Sequence, residues 1–248
     1  MEIVIKQPKV NYNITQENHF LLAGKYLLGF FLMLVSLYLL FYLFGGYLTF
    51  FVSIEDENRY FSGLYIGLKE DKKATNKLIS QIGQSKYNIK VIDSEEINAF
   101  SALGGNIFLT NSLYSGLNTI EGLDFVIGHE IKHIENRDVF KSLVSQIPVK
   151  FGLLLIGVDG TMLNMGDVFT VLYSKNQEIL ADYGGVDYVY EKHGHVGCIQ
   201  EVFDLLPSNY LNELISDHPV TESRISKINS YIISKGYKTG ECAFLDKE

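Results

Sequence analysis

The feature that most constrains this chain is a long apolar run near its N-terminus. Residues 26–54 contain no charge and are dominated by leucine, phenylalanine, tyrosine and valine. A helix needs roughly 20 apolar residues to cross the hydrocarbon core of a bilayer, so this run is long enough to span a membrane. A cleaved signal peptide has about 7–15 apolar residues and a small-residue cleavage site, which is not found after Tyr47. We therefore expect an uncleaved transmembrane anchor, with a buried core helix as the alternative.

This anchor divides the chain into three parts. We expect residues 1–25 to form a polar tail, residues 26–54 to contact the lipid bilayer, and residues 55–248 to fold as one domain. Three lysines precede the anchor, and acidic residues follow it directly. Positive charge favours the cytoplasmic side, so the domain is expected outside the cytoplasm, although three lysines early in the domain weaken this prediction.

Charge and cysteine content narrow the choice of partners. The net charge of -8 offers no electrostatic footprint for nucleic acid, which we do not expect as a partner. Cys198 and Cys242 form neither a CxxC pair nor a disulfide framework. They are expected to pair in an oxidising compartment or to remain two ordinary thiols. The oligomeric state stays open.

The residue pattern of the domain predicts a mainly helical α+β fold with a small antiparallel sheet. Asn118, with Glu121 three residues later, resembles a capping box and predicts a helix that runs to about Val144. An amphipathic pattern predicts a helix over residues 59–84, and alternation around Gly104-Gly105 predicts short strands. The strands are expected at residues 87–93, 99–102 and 106–110, and further helices at residues 175–192, 200–205 and 220–235.

A second apolar stretch covers residues 151–173. Asp159, Asn164 and Asp167 interrupt it, and its uninterrupted part is too short to cross a bilayer. We expect a helical cap or hairpin packed on the domain, with a membrane-associated segment as the alternative.

The strongest chemical signal is the run His129-Glu130-Ile131-Lys132-His133. Residues four apart on a helix project from the same face, so the two imidazoles can bind one zinc ion, which prefers four ligands. Glu130 is displaced by about 100° around the helix and can take a proton from a zinc-activated water. The alternative is a helix with two incidental histidines.

A catalytic zinc site needs a third protein ligand. Asn136 and Val139 stand where a metzincin needs glycine and histidine, so that class is excluded. Glu178 and Asp182 share a helical face, so Glu178 can bind the metal while Asp182 accepts a hydrogen bond from a liganding imidazole. Such a carboxylate pair more often lies on a solvated helix face. A metal-binding role is favoured here only because the chain also contains the His129 to His133 motif. His193 and His195 are expected in a turn without a metal role.

Four motifs, in order, resemble those of the HtpX-like and CAAX-prenyl-protease-like zinc metallopeptidases. Residues 128–138, Gly-His-Glu-Ile-Lys-His-Ile-Glu-Asn-Arg-Asp, resemble the active-site helix of that family. The other three are similar to its upstream strand pair, its third-ligand helix and its C-terminal motif. They are Asn98-Ala99-Phe100 with Gly104 to Ile107, Ser174-Lys175 with Glu178, Ala181 and Asp182, and His218-Pro219 with Arg224.

The resemblance implies a zincin-like fold and one Zn²⁺ per chain, with His129, His133 and Glu178 as ligands and Asp182 beside them. It implies that His218 and Arg224 stabilise the oxyanion. It also implies that a polypeptide substrate pairs with the strand after the glycine turn, through Gly105, Asn106, Ile107, Phe108 and Leu109.

The chain departs from the family pattern in three places. Leu103 stands where a proline often precedes the paired glycines, and Lys175 replaces the usual arginine. The interrupted stretch at residues 151–173 argues against further spans there. The chain therefore resembles the single-anchor or soluble quality-control branch of the family more than its multi-span members.

These observations predict a gluzincin-like, membrane-anchored zinc endopeptidase that cleaves extended or unfolded membrane-associated or envelope proteins. Glu130 would act as general base. One alternative is a membrane-tethered zinc-binding chaperone or scaffold with little hydrolysis. Another is a structural zinc protein with a closed four-ligand site, for which His193, His195 or a cysteine would have to supply the fourth ligand.

Overall fold

The structure is a computed structural model that describes residues 18–155, 173–205, 218 and 222–247. Most of the predicted polar tail lies outside the described residues. So does the stretch between residues 155 and 173, where the sequence predicts a cap or a membrane-associated segment. The division of the chain into tail, anchor and domain therefore stays a prediction.

The N-terminal apolar run forms one long helix, α1, over His19–Leu48. It begins before the predicted anchor, at an Asn18 cap, and ends before Ile54, which instead starts the next helix. Its segment His19–Phe44 is long and apolar enough to cross a membrane, and its most hydrophobic window is not buried within the protein. This exposure argues against a buried core helix and favours contact with lipid.

The region between the anchor and the sheet is less continuous than the predicted helix over residues 59–84. It contains α2 at Ile54–Phe61, a 3₁₀ turn at Ser62–Tyr65 and α3 at Lys72–Ile82. The Asp71 side chain caps α3 by accepting from the Ala74 N–H at 3.0 Å, which starts a new helix after the turn.

A three-stranded sheet follows, with β1 at Asn88–Ile92, β2 at Ala99–Ala102 and β3 at Asn106–Thr110. Its strand order is β1-β3-β2, with β1 parallel and β2 antiparallel to β3. The sheet is therefore mixed rather than wholly antiparallel. Gly104 and Gly105, at φ 80° and 74°, allow the tight β2–β3 turn, and β3 then returns between the two earlier strands.

Six helices complete the described fold. They are α4 at Asn111–Gly116, α5 at Ile120–Glu135, α6 at Asp138–Leu155, α7 at Lys175–His193, α8 at Gln200–Leu205 and α9 at Glu222–Lys235. Thr119, not Asn118, caps α5. The predicted helix to Val144 is broken near Arg137, whose backbone adopts the left-handed region at φ 58°.

Helices α5 and α7 pack against each other because glycines let their backbones approach. A Cβ on Gly128 would lie 2.6 Å from Tyr188 Cβ, and one on Gly185 would lie 2.9 Å from the Phe125 ring. One face of the sheet joins these helices in the main core, while Phe100 and Phe108 on the other face pack against the region around Tyr65. The mainly helical α+β prediction is thereby confirmed.

The C-terminal segment returns to the start of α5. Ala243 accepts a hydrogen bond from the Ile120 N–H at 2.8 Å, and Leu245 donates its N–H to the Asn118 carbonyl at 2.8 Å. A disulfide joins Cys198 to Cys242, with the Cα atoms 6.2 Å apart. Of the two states that the sequence left open for these cysteines, the structure has the paired one.

Candidate metal centre

Helices α5 and α7 bring together the predicted metal ligands. His129 Nε2 lies 3.2 Å from His133 Nε2 and 3.8 Å from Glu178 Oε2, while His133 Nε2 lies 3.3 Å from Glu178 Oε1. All three residues are buried. In a tetrahedral zinc site with bonds of about 2.0–2.2 Å, ligand atoms are about 3.3–3.6 Å apart. The three predicted ligands therefore fit a zinc ion in both chemistry and spacing.

Each imidazole is held by a carboxylate at its far nitrogen. His129 Nδ1 lies 3.1 Å from Asp182 Oδ1, as the sequence predicts, and His133 Nδ1 lies 2.9 Å from Asp138 Oδ2. These contacts fix each ring so that Nε2 faces the centre. On an unbroken helix Asp138 would sit about 140° around from His133. The break at Arg137 brings it back, which is why sequence reasoning missed this residue.

Arg224 lies against the carboxylates of the centre. Its Nε and Nη2 donate to Asp182 at 2.9 and 2.7 Å, and its Nη1 lies 2.7 Å from Glu178 Oε2. Only 7% of Arg224 is exposed. A guanidinium engaged in this way orients the ligand and its neighbour, so the structure favours a positioning role over the predicted contact with an oxyanion.

Two buried carboxylates of the centre, Glu178 and Asp182, have a lowered pKa. Burial opposes ionisation of Glu178, but the charge on His218 and a hydrogen bond from His133 hold its pKa well below the usual range. Burial also opposes ionisation of Asp182, yet hydrogen bonds from Arg224 and His129 lower its pKa. Negative charge concentrated in this way favours a cation at the centre.

The two imidazoles on α5 have opposite pKa shifts. Burial lowers the pKa of His129. Burial acts in the same direction on His133, but its hydrogen bonds with Asp138 and Glu178 outweigh it and raise the pKa to about 9. Zinc binds neutral imidazole, so metal binding is coupled to release of the His133 proton.

Glu130 lies beside the centre, with one carboxylate oxygen available for chemistry. The residue is 2% exposed, and Oε2 has no hydrogen-bond partner among the described residues. A buried carboxylate oxygen without a partner is costly and calls for a functional or solvent explanation. Glu130 also lines a cavity of about 40 Å³ together with His129, Phe125 and Phe203, which is large enough for a water molecule.

His218 lies within the same cluster. Its Nδ1 is 3.0 Å from Glu178 Oε1 and 3.2 Å from His129 Nε2, and its Nε2 is 3.5 Å from Glu130 Oε1. One donor atom from each of His129, His133, Glu178 and His218 lies within 4.8 Å of all the others. The sequence considered His193, His195 or a cysteine for a fourth ligand, whereas the structure provides His218.

The two other C-terminal histidines lie outside this cluster. His193 Nε2 is 2.7 Å from Asp124 Oδ2, and His195 Nε2 is 3.7 Å from Glu121 Oε1. They belong to a polar network at the start of α5, and the cluster of possible metal ligands does not include them.

Tyr173 is a neighbour of the centre that the sequence did not reveal. Its ring stacks on the His133 ring, with centroids 3.9 Å apart, and its hydroxyl lies 3.3 Å from Ser101 Oγ. It therefore connects a metal ligand to strand β2. No spacing pattern identified it, because it precedes α7 and is brought to His133 only by the tertiary fold.

The predicted substrate strand needs correction. Gly105, Asn106, Ile107, Phe108 and Leu109 belong to β3 or its turn, and β3 is paired on both sides, so it cannot accept another strand. The edge near the metal centre is β2. Since the Thr110 N–H donates to the Asn98 carbonyl, alternation directs the backbone N–H and C=O groups of Ala99 and Ser101 away from β3.

Comparison with known proteins places this arrangement in a family. The profile of peptidase family M48 matches residues 72–232, which include all four residues of the metal cluster. The chain belongs to peptidase family M48. The resemblance to HtpX-like metallopeptidases is thereby confirmed. Since M48 peptidases depend on a metal, the centre on α5 and α7 is the candidate metal site of this M48 chain.

Three relatives carry protease names. The chain is 22% identical over 176 residues to the Beta-barrel assembly-enhancing protease of Yersinia pestis, covering 61% of this chain and 36% of that protein. It is 38% identical over 58 residues to the mitochondrial metalloendopeptidase OMA1 of Bos taurus, covering 23% and 11%. It is 24% identical over 207 residues to a protease HtpX homolog of Streptococcus equi subsp. zooepidemicus, covering 61% and 69%. The match thus spans about a third of the first of these relatives.

Proposed function

We propose that this M48 chain is a zinc-dependent endopeptidase that cleaves extended or unfolded polypeptides. The observation that carries the proposal is Glu130, a buried carboxylate beside three converging ligand atoms, whose Oε2 has no hydrogen-bond partner among the described residues. A structural zinc site has no need of such a group, whereas metal-assisted hydrolysis requires a base next to the attacking water.

His129, His133 and Glu178 would hold the zinc. A zinc ion held there would supply Lewis-acid chemistry for peptide hydrolysis. Glu130 accepts the proton of the attacking water and returns it to the leaving amine. His218 donates to the developing oxyanion from its place beside Glu130 and Glu178.

The outer edge of β2, which pairs with no other strand among the described residues, supports an extended substrate. Its outward N–H and C=O groups at Ala99 and Ser101 can pair with the backbone of a peptide. Asn98 and Ala99 also line the cavity beside Glu130, so a strand added there runs past the base. Because pairing requires an extended backbone, folded substrates are excluded unless they expose a loose segment.

Helix α1 and the disulfide support a membrane-anchored enzyme whose domain lies outside the cytoplasm. The most hydrophobic window of α1 is not buried within the protein, and disulfides persist mainly in oxidising compartments. The lysine excess before the anchor favours the same orientation. Membrane-associated or envelope proteins are then the accessible substrates.

The second candidate is a zinc-binding scaffold with a closed site. It is favoured by one observation, the placement of His218 Nδ1 within the ligand cluster, where it can take the fourth position. A closed tetrahedral site leaves no coordination position for substrate. Such a protein would bind zinc and extended chains without hydrolysing them.

Metal depletion and reconstitution of the full chain in detergent micelles test the proposal. Removal of the metal should abolish cleavage of casein, and addition of one equivalent of Zn²⁺ per chain should restore it. Magnesium should not restore it, because a site of two imidazoles and one carboxylate suits zinc. Undiminished cleavage by the metal-free chain would refute the metalloprotease mechanism.

A further inference from the structure

Glu57 is a buried acidic residue outside the metal centre, in the helix that follows the membrane-spanning candidate. It lies in α2 and is 3% exposed, although every other acidic residue of that helix lies nearer to solvent. Charged side chains are rarely buried unless they are paired. The contacts of its carboxylate therefore indicate why it is there.

The first contact is with the turn after β2, the strand that is proposed to pair with the substrate. The Gly104 N–H donates to Glu57 Oε2 at 2.9 Å. Helix α2 lies directly on this turn, since a Cβ on Gly104 would be only 2.5 Å from Asn58 Cα. Glu57 thus fixes the position of the β2–β3 hairpin, in which β2 is the strand at the edge of the described sheet.

The second contact is with the end of the active-site helix. The Arg137 guanidinium donates from Nε to Glu57 Oε1 at 3.1 Å and also from Nη2, and its Nη2 donates to the Val52 carbonyl at 2.8 Å. Arg137 has the left-handed backbone that separates α5 from α6. The next residue, Asp138, holds the far nitrogen of His133.

The Glu57 carboxylate therefore contacts two regions at once. One is the turn that follows β2, and the other is Arg137, whose neighbour Asp138 holds the predicted metal ligand His133. The Glu57 and Arg137 side chains are 4% and 14% exposed, so the pair is shielded from solvent. Buried ion pairs contribute little net stability compared with apolar packing, but losing one partner leaves an uncompensated charge. The value of such a pair is often in specifying one arrangement of the elements that it joins.

We propose that Glu57 is a positioning residue that sets the distance between the β2 edge and the active-site helix. The inference rests on the proposed endopeptidase function. A long substrate must pair with β2 and reach Glu130 at the same time, whereas a short peptide needs only the metal centre. Loss of the bridge therefore reduces turnover of long substrates selectively.

The test compares two fluorogenic substrates with the full chain in detergent micelles. One is a long unstructured peptide, and the other is a short peptide limited to the residues beside the scissile bond. For Glu57→Gln we expect the ratio of kcat/KM for the long to the short substrate to fall about tenfold, because small misplacement of reacting groups is costly. The zinc content should stay at one per chain. A merely structural role would lower both rates in the same proportion.

Two further variants sharpen the comparison. Glu70 forms a different ion pair, with Lys90 at 3.1 Å, and contacts neither Gly104 nor Arg137. For Glu70→Gln the ratio of kcat/KM for the long to the short substrate should therefore match that of the wild type. Arg137→Lys keeps the charge but loses the guanidinium fork, so we expect a smaller decrease in the ratio, which is measurable even if Glu57→Gln does not fold. A wild-type ratio in both Glu57→Gln and Arg137→Lys would overturn the inference while metal-dependent cleavage still stands. A wild-type chain without such cleavage would overturn the proposed function first.

Discussion

Each of the two histidines on α5 is held by a carboxylate on the side of the ring that faces away from the centre. Asp182 holds His129 from α7, and Asp138 holds His133 from the first turn of α6. Asp138 is fixed in turn by Gln177, whose amide donates at 2.9 Å. The geometry of the ligand atoms is thus set by three helices together, and single substitutions behind the ligands should change metal affinity.

The pH dependence of stability should report the Asp138 contact. The folded-state pKa of His133 is about 9, above its ordinary value of 6.5. Its stabilising contribution is therefore complete below about pH 6.5 and is lost as the pH rises through 9. We expect the Tm of the metal-free full chain to fall across this window, and Asp138→Asn to flatten the fall.

Thermal scans between these pH values provide the measurement. Glu135→Gln changes an exposed residue of α5, the helix that carries His133. This control variant should keep the wild-type dependence of Tm on pH. An identical slope in Asp138→Asn would show that Asp138 does not support the protonated ring.

Substitution of His218 separates an open from a closed metal site. If His218 stabilises the oxyanion, His218→Ala should retain one zinc per chain and lower kcat by about 10²–10³-fold. Metal analysis of the purified chain, combined with cleavage rates, measures both quantities. Lower zinc affinity together with retained or increased cleavage at saturating zinc would instead show that His218 occupies the fourth ligand position.

At the scale of elements, the sequence predicts which side chains share a helix face, but it does not predict which elements contact one another in the fold. The spacing of His129, Glu130 and His133 predicted the geometry of α5, because helical periodicity alone fixes which side chains share a face. The pairing of Glu178 with Asp182 was predictable for the same reason. The central position of β3 was not, because strand order depends on long-range pairing. Tyr173 was missed since only tertiary packing brings it to His133.

The disulfide should stabilise the C-terminal segment against α5. Cys198 and Cys242 are separated by 44 residues, and closing a loop of that length is worth about 4 kcal/mol in the chain-entropy account. We expect reduction to lower the Tm by roughly 10 °C. Calorimetry with and without reductant measures this, and Cys198→Ser should be insensitive to reductant. Equal Tm values for the oxidised and reduced wild type would contradict the expectation.

At the scale of the whole molecule, the long apolar helix α1 suggests that the domain is anchored to a membrane. We propose that the domain faces an oxidising compartment, in which the disulfide would persist. The buried contacts of Glu57 connect α2, the helix that follows α1, to the β2–β3 turn and to Arg137, so α2 belongs to the folded unit.

Alkylation of thiols in cells tests this orientation. With the domain outside the cytoplasm, Cys198 and Cys242 should resist maleimide until reductant is added, because they are paired as the protein is made in its compartment. Mass spectrometry of the isolated chain gives the number of labels. Two labels per chain without reductant would place the domain in the cytoplasm.

The central claim is that Glu130 is the base of a zinc endopeptidase. The most direct measurement compares casein cleavage by zinc-loaded full chains with Glu130→Gln and with Glu135→Gln. The account predicts that Glu130→Gln binds one zinc per chain but loses at least about 100-fold in cleavage rate, while Glu135→Gln keeps the wild-type rate. Cleavage by Glu130→Gln at the rate of Glu135→Gln would contradict it.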